Sequence, residues 1–514
     1  MKNQGFLHKL SSIQWIILIA AIVKFTIHLI YAPGYEFFGD ELYTIALSRH
    51  LAWGYVDLPP LVPALVALSR ALLGNSFFAY HIIPALAGSF TLVFIGLLTK
   101  EFGGKTFAVA LSVTAFIAVP IWLAVDSIFC YDSIDQLMLA GFMYATARLL
   151  RSGNRKRWLL IGLIAGLACL SKITILFLGP GFLLALLLTK HRKDLLTPWP
   201  WLGALIFAIV LSPYVIWQIS NHWPSLEYWT SYGTNRLYDA SPKQYLVNTL
   251  VYMSPFLLPL YLAGLYRVFR TMNGTRYALF GFLFVFTVIL MFFLHSSARM
   301  LAELFMPIIA AGALFWEEVF AKIPWRRFFI SVSFAVLAAI IIVNGIMSIP
   351  ILPADVYPIV NNQLGTMQGQ LREFNGGASY YSVLYADRLG WTQLVQNVAE
   401  VYNALPQDER AVAGIYADWY MPAGAVDQYG PQYGLPHAVS GHLTYYLWGP
   451  GYSWDVMIMV TGQTNNMSVF YNQCELAKKG NRISGIPAEQ EYIYVCREPK
   501  VSAEKIWSSA KMFR

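Results

Sequence analysis

The sequence predicts an all-α polytopic membrane protein that ends in a small α/β domain outside the membrane. Hydrophobic residues make up 57% of the 514 residues and charged residues 12%, whereas soluble chains average roughly 45–50% and about 25%. Apolar blocks near the length that crosses a bilayer recur up to residue 347. After residue 349 the chain becomes polar, aromatic and rich in glycine. We therefore predict a transmembrane domain over 1–349 and an extracytoplasmic domain over 350–514.

Hydropathy predicts about eleven transmembrane helices, each formed by one apolar block. Two of the blocks are short and joined around Lys172, which predicts a tight hairpin. The blocks are 12–31, 78–99, 106–125, 134–150, 158–171, 173–189, 199–219, 246–266, 278–294, 300–319 and 328–347.

The charges predict the orientation and the partners. With the N-terminus in the cytoplasm, 18 Lys and Arg fall in cytoplasmic segments and six in the opposite loops, which is the usual positive-inside bias. We therefore predict a multi-pass protein of the cytoplasmic membrane with its C-terminal domain outside. Residues 1–349 hold 25 Lys and Arg against 14 Asp and Glu, and residues 350–514 hold 11 against 14. Because the basic excess belongs to the membrane part, we predict membrane lipids as partners and no nucleic acid.

Periodicity in the outer domain predicts one helix and three strands. A helix-period run covers 391–405, and strand-like apolar runs cover 411–416, 456–460 and 492–496. Cys474 and Cys496 are the two cysteines of this domain. Because the outer compartment permits disulfides, we expect them to pair. The alternative is two buried free thiols.

The first outer loop, residues 32–77, carries acidic residues beside two segments that read as short interfacial helices, over 42–51 and after Pro60. Asp40 and Glu41 stand at the start of the first of these helices, and Asp57 precedes the second. Asp40 is a candidate general base. Its alternative role is a helix N-cap, which does not exclude catalysis.

The remaining outer loops add further polar candidates. Asp132 and Asp135 share one face at a helix start, where the alternative is stabilisation of the helix dipole. His222 follows in the third loop, with a structural hydrogen bond as its alternative, and Arg299 lies in the fourth, where an ion pair with Glu303 is the alternative. Such carboxylates could deprotonate an acceptor hydroxyl or hold a divalent cation. The cations could neutralise a departing phosphate, which points to group transfer from a lipid-linked phosphate.

Several short motifs, in this order and spacing, resemble the GT-C membrane glycosyltransferases. More narrowly they resemble family 39, with its protein O-mannosyltransferases and lipid A aminoarabinose transferase. The motifs are Gly39-Asp40-Glu41-Leu42-Tyr43, Tyr131-Asp132-Ser133-Ile134-Asp135, and residues 51–60, 170–172, 221–227 and 441–450.

This resemblance implies a GT-C fold and inverting sugar transfer from a polyprenyl-phosphate donor, on the outer membrane face, to an unknown acceptor. It places Asp40 as general base, with Glu41 beside it in the catalytic motif. Immediately before the Pro-Pro pair the aminoarabinose transferases carry an acidic residue and a Lys. This chain has Asp57 and Leu58 at these positions, so the Lys is replaced by Leu58. In those enzymes the Lys helps to bind phosphate, so here the phosphate cation must come from elsewhere, and Lys172 and Arg299 are the candidates. Binding of substrate is expected at Tyr43, Asp57, Asp132, Asp135, Lys172, His222 and Arg299. By analogy, a divalent metal bridged by Asp57 and His222 stays open.

Two other classes of protein compete with an enzyme. A transporter or flippase of a lipid-linked or small polar substrate predicts inverted repeats and charges near the bilayer midplane. This chain gathers its charges in the outer loops and has no internal repeat that we detect. A membrane anchor for the outer domain gives no reason for the acidic residues of the first two loops.

Overall fold

The computed structural model describes residues 10–235, 241–271, 277–363, 381–462, 466–480 and 491–513. The chain forms two compact units. The first unit comprises Met1–Tyr31, Phe78–Ile216 and Leu237–Ile351, and the second comprises Ala32–Phe77, Trp217–Arg236 and Leu352–Arg514. The division into compact units places the first outer loop in the same unit as the C-terminal segment. The domain boundary expected at residue 350 stays a prediction.

The first unit is helical, and at least one helix overlaps each predicted apolar block. Two of these helices, Phe77–Glu101 and Pro198–Ser220, extend past the residue limits of the first unit. The α-helices are Ser12–Ile27, Phe77–Glu101, Thr106–Ile117, Pro120–Val125, Tyr131–Ser152, Arg157–Ser171, Thr174–Leu188, Pro198–Ser220, Pro242–Met253, Leu258–Tyr266, Ala278–Phe293, Phe305–Ala321 and Arg326–Ser348. Shorter 3₁₀ segments cover Lys190–Leu196, Pro255–Leu257 and Ala298–Leu304, and a π-helical turn covers Arg267–Thr271.

Prolines break two of the predicted blocks, so neither 106–125 nor 246–266 is one continuous helix. Val119 is extended (φ −81°, ψ 120°) because it precedes Pro120. Ser254 has φ +65° before Pro255, and the helices on either side of it are bent by 86°. By length and composition, four helices of the described chain are long and apolar enough to cross a membrane, or six if each of two bent pairs forms one span. The predicted total of eleven stays a prediction.

A buried ion pair lies inside the first unit. Lys24 Nζ is 2.7 Å from Asp126 Oδ2, and both side chains are 0% exposed. Lys24 also donates to the Trp122 carbonyl at 2.8 Å, and Gln136 Nε2 donates to Asp126 Oδ1 at 3.1 Å. A Cβ at position 88 would lie 2.2 Å from Asp126 Oδ2, so Gly88 leaves the room that the carboxylate occupies. The lysine that stands inside the first apolar block is therefore paired, not exposed.

The second unit combines helices with a five-stranded sheet. Its helices are Gly39–Arg49, Leu61–Leu73, Pro224–Asn235, Tyr357–Gln363, Val383–Ala386, Trp391–Ala404, Gln407–Val412, Tyr420–Tyr429, Thr444–Leu447 and Ala503–Ala510, with 3₁₀ turns at Gly430–Tyr433 and Asn466–Phe470. The strands are β1 (Gly414–Ala417), β2 (Ala438–Val439), β3 (Val456–Thr461), β4 (Tyr471–Lys478) and β5 (Tyr492–Pro499).

The sheet order is β2-β1-β3-β5-β4, with β1 parallel to both of its neighbours and β5 antiparallel to both of its own. The predicted helix at 391–405 and the strands at 456–460 and 492–496 are confirmed. The strand expected over 411–416 is wrong in its first half, because the Gln407–Val412 helix continues to Val412. Strand β4 was not predicted, since it is an edge strand with polar residues on both faces.

A disulfide joins the edge strand β4 to β5. Cys474 and Cys496 stand opposite each other in the antiparallel register, with their Cα atoms 4.0 Å apart. The predicted pairing of these two cysteines is confirmed. The other two cysteines, Cys130 and Cys169, are buried in the first unit and take no part in a disulfide.

Candidate functional site

Asp40 lies in the first turn of the Gly39–Arg49 helix, where its carboxylate is held by a tyrosine. Its Oδ1 accepts a hydrogen bond of 2.7 Å from the Tyr420 hydroxyl, at the start of the Tyr420–Tyr429 helix. The Asp40 side chain is half-buried. This arrangement fixes the direction of the carboxylate and leaves part of it within reach of a substrate hydroxyl.

Glu41, not Asp40, caps this helix. The N-cap position is Phe38, whose backbone N–H donates to Glu41 Oε2 at 2.9 Å. Glu41 is 1% exposed. A Cβ at Gly39 would lie 2.5 Å from the sulfur of Met421, so glycine permits the close approach of the two helices. The N-cap interpretation of Asp40 is therefore wrong, because Phe38 occupies the N-cap position and Glu41 makes the side-chain hydrogen bond to it.

Tyr43 and Asp57 complete the cluster around Asp40. The Tyr43 hydroxyl donates to Asp57 Oδ1 at 2.7 Å and accepts the Thr444 N–H at 3.2 Å. The Tyr43 ring lies 4.8 Å from that of Tyr420. Burial raises the pKa of Asp57 to about 7, the Tyr43 hydrogen bond lowers it, and the negative charge of Asp40 raises it further. The second unit thus brings together four of the predicted residues: Asp40, Glu41, Tyr43 and Asp57.

Asp387 is a buried neighbour of Asp40 that no sequence pattern singled out. It is 7% exposed. Burial raises the pKa of Asp387 to about 8, the charge of Asp40 raises it further, and Arg388 opposes the rise. Asp387 is therefore a neutral acid at pH 7, and it adds no second negative charge beside Asp40.

We expect Asp387→Asn to flatten the pH dependence of stability. An unfolded Asp has a pKa of about 3.9, so between pH 4 and 8 the folded chain holds a proton that the unfolded chain has lost. The free energy of unfolding therefore falls as pH rises through this window, and the amide removes that loss, on the order of a few kcal/mol. Thermal melts at pH 5 and pH 9 will show a higher midpoint for the variant at pH 9 and a similar one at pH 5.

Asp408→Asn is the matched control for this measurement, because Asp408 is exposed on the Gln407–Val412 helix. It is expected to keep the wild-type slope. An Asp387→Asn protein whose midpoint follows the wild type at both pH values would contradict the neutral state of Asp387.

The first unit holds a second cluster of predicted residues. Lys172 Nζ is 2.5 Å from Asp132 Oδ1, and Asp135 is 1% exposed. Arg299 interacts electrostatically with Asp132 and Lys172. The cluster contains two cations and three carboxylates, because Glu303 belongs to it as well. It is therefore a charged site inside a largely apolar unit.

His222, a predicted metal ligand, lies on the surface of the second unit. Its side chain is exposed and its backbone has φ +62°. The surrounding segment is tied to the first outer loop, since Gln218 Nε2 and Ser225 Oγ both donate to the Tyr55 carbonyl. Across the described ranges, no group of three or more His, Cys, Asp and Glu side chains could hold a metal ion. A metal bridged by Asp57 and His222 would therefore need further ligands besides the described His, Cys, Asp and Glu side chains.

Comparison with known proteins identifies the fold. The family model of the dolichyl-phosphate-mannose-protein mannosyltransferases matches residues 57–217. The lipid A galacturonosyltransferase RgtD of Rhizobium johnstonii is 26% identical over 216 residues, which are 39% of this chain and 43% of that protein. The chain thus matches less than half the length of this curated relative.

Two solved structures match most of the chain. ArnT from Cupriavidus metallidurans, bound to undecaprenyl phosphate, has a TM-score of 0.54 at 13% identity, over 94% of this chain and 97% of that one. The chain has the GT-C fold. An Archaeoglobus fulgidus oligosaccharyltransferase tethered to an acceptor peptide has a TM-score of 0.50 at 12% identity, over 83% of this chain and 63% of that one. The predicted resemblance to GT-C membrane glycosyltransferases is confirmed, and this GT-C chain is an integral membrane protein.

Proposed function

We propose that the chain is a membrane glycosyltransferase that moves a sugar from a polyprenyl-phosphate donor to an acceptor hydroxyl on the outer membrane face. The observation that carries the proposal is the half-buried Asp40 carboxylate, oriented by Tyr420 at a helix start within a GT-C fold. The relatives support the class of donor, since one is a structure bound to undecaprenyl phosphate. The matched family model is that of dolichyl-phosphate-mannose transferases.

Asp40 acts as the general base in this proposal. The acceptor hydroxyl gives its proton to the Asp40 carboxylate as its oxygen bonds to the anomeric carbon. The bond between that carbon and the phosphate oxygen breaks, and its electron pair leaves with polyprenyl phosphate. Base and leaving group then lie on opposite sides of the anomeric carbon, so the sugar inverts. Glu41 fixes the helix start that carries Asp40, and Tyr43 and Asp57 bind the sugar.

Lys172 and Arg299 are the proposed cations for the donor phosphate, with Asp132 and Asp135 holding them in place. The ion pair of Lys172 with Asp132 keeps the ammonium ordered until a phosphate shares it. Removing one of these charges is expected to raise the KM for the donor more than it lowers kcat.

Incubation of the purified protein with labelled polyprenyl-phosphate sugars tests the function. A glycosyltransferase releases polyprenyl phosphate and labels an acceptor. Movement of intact labelled lipid between the leaflets of a vesicle, without release of polyprenyl phosphate, would favour a transporter. Neither release nor movement would favour an anchor.

The proposed orientation can be tested with two introduced cysteines. Asn154 and Gln432 are both exposed. In a background with the native cysteines replaced, a membrane-impermeant thiol reagent is expected to label Gln432→Cys from outside intact cells. Asn154→Cys is expected to react only after the membrane is opened, because it lies in the most basic cytoplasmic segment. The opposite labelling pattern would reverse the topology.

A further inference from the structure

A cavity of about 300 Å³ lies in the second unit at the far end of the helix that carries Asp40. We define the His50–Trp448 pocket by six of its lining residues: Arg49, His50, Asp427, His437, Tyr445 and Trp448. Asp40 and Arg49 stand nine positions apart in one helix, which is about 14 Å at 1.5 Å per residue. The pocket is therefore separate from the cluster around Asp40, yet rigidly connected to it by the helix.

Aromatic rings form the walls of the pocket. The His50 and Trp448 rings lie 4.3 Å apart, and Trp448 meets Tyr445 edge-on at 4.6 Å. His437, another lining residue, stacks on Tyr452 at 5.1 Å. Gly451 has φ +68°, and a Cβ there would lie 2.8 Å from the Val439 side chain. Position 451 therefore favours glycine, which lets the backbone pack against Val439. Flat apolar faces with a few fixed polar groups are typical of small-molecule sites.

A fixed carboxylate forms part of the pocket lining. Asp427 Oδ2 accepts the Tyr445 hydroxyl at 2.7 Å, and Oδ1 accepts the Ala438 N–H at 2.8 Å. Each carboxylate oxygen has a second lone pair, so Asp427 can still accept hydrogen bonds from a ligand. The Arg49 guanidinium donates to the Asp427 carbonyl at 2.6 Å and to the Gln428 side chain at 2.5 Å. Its positive charge balances the carboxylate, and the pocket carries no net charge when both histidines are neutral.

The imidazoles supply the remaining polar groups. In the described part of the chain, the ring nitrogens of His50 and His437 make no hydrogen bond. A neutral imidazole offers one donor and one acceptor. Two such rings, one carboxylate and a tryptophan face match a ring that carries several hydroxyl groups. They match an acyl chain poorly, because a chain would cover Asp427 and both imidazoles without hydrogen bonding to them. They offer an anion no net attraction, because Asp427 offsets the charge of Arg49.

We propose that the His50–Trp448 pocket binds a neutral sugar unit of the acceptor. The assignment to the acceptor rests on the proposed glycosyl transfer, whereas binding of the sugar does not. A glycan held there would present a more distant hydroxyl to Asp40, so the pocket would select acceptors by a sugar that is not the one modified.

Binding of methyl glycosides to the full-length protein, without donor lipid, tests the pocket. The probes are the methyl glycosides of mannose, glucose and galactose, measured by saturation-transfer NMR and tryptophan fluorescence. At least one is expected to bind the wild type, and Trp448→Ala is expected to weaken that binding by about tenfold. His437→Ala, at an exposed position, is a second variant that leaves the contacts of His50, Tyr445 and Trp448 in place and is expected to weaken binding too. Trp325→Ala is the matched control, since Trp325 is 71% exposed in the first unit.

The outcomes separate the pocket from the proposed function. Absence of binding by all three glycosides, or binding that survives both Trp448→Ala and His437→Ala, would overturn the sugar site even if the protein transfers sugar. Inorganic phosphate that competes with the glycoside would also overturn the neutral ligand. Asp40→Asn is expected to bind the glycoside like the wild type. A protein that binds glycosides through Trp448 but never transfers sugar would refute the proposed function and leave the site in place.

Discussion

Asp40→Asn is expected to lower sugar transfer by at least ~10²-fold, the usual scale for losing a general base. Asparagine keeps the size and one acceptor oxygen, so the Tyr420 hydroxyl can still donate to it. The helix start is unaffected because Glu41 provides its side-chain cap. Thermal stability and donor-lipid binding are therefore expected to stay at wild-type values. The measurement is release of labelled polyprenyl phosphate, with a melting curve on the same preparation.

Asp408→Asn is the matched control, an exposed acid-to-amide change in the same unit. It is expected to transfer sugar like the wild type. Tyr420→Phe is expected to fall between the two, because the base remains but its orienting hydrogen bond is lost. Near-normal transfer by a well-folded Asp40→Asn protein would refute Asp40 as the base and would leave the rest of the fold assignment untouched.

Lys24→Met is expected to cause the largest loss of stability among the changes considered. It leaves the fully buried Asp126 carboxylate without its cation, and breaking a buried pair in this way costs about 3–5 kcal/mol. The midpoint of thermal unfolding in detergent will drop accordingly. Lys322→Met, at an exposed position, is the matched control and is expected to change it little.

The double variant Lys24→Met/Asp126→Asn separates charge from packing. Removing both charges avoids an unpaired buried ion, so this protein is expected to be more stable than Lys24→Met alone. A double variant at least as unstable as the single one would mean that the contacts of the lysine stem, and not the ion pair, stabilise this part of the unit.

Local patterns predicted the elements better than they predicted their partners. Apolar runs identified the helices because hydropathy is a property of consecutive residues. The position of Lys24 inside an apolar block also implies a charge that needs a partner. It could not name Asp126, because that contact depends on how distant helices pack.

The candidate site shows the same division. Asp40, Glu41 and Asp57 were predicted from an acidic first loop and from family motifs. Tyr420 was not, since a tyrosine after the short strand β1 carries no pattern of its own. Asp387 was missed for a similar reason, because its burial and its proximity to Asp40, which raise its pKa, are visible only in the folded chain. The predicted N-cap alternative for Asp40 failed because two adjacent acids compete for one role, and the sequence does not say which of them takes it.

The hydrogen bond between Asp40 and Tyr420 joins residues 380 positions apart, which sets a timing problem during synthesis. At ordinary elongation rates the ribosome needs roughly 20–80 s to travel that distance. During this interval the Gly39–Arg49 helix lacks the C-terminal segment that completes its unit. Its apolar residues Leu42, Ile45 and Ala46, at most 2% exposed in the finished protein, need other cover meanwhile. Since the second unit includes Leu352–Arg514, these side chains reach their final burial, and Asp40 its Tyr420 partner, only after that segment has been synthesised.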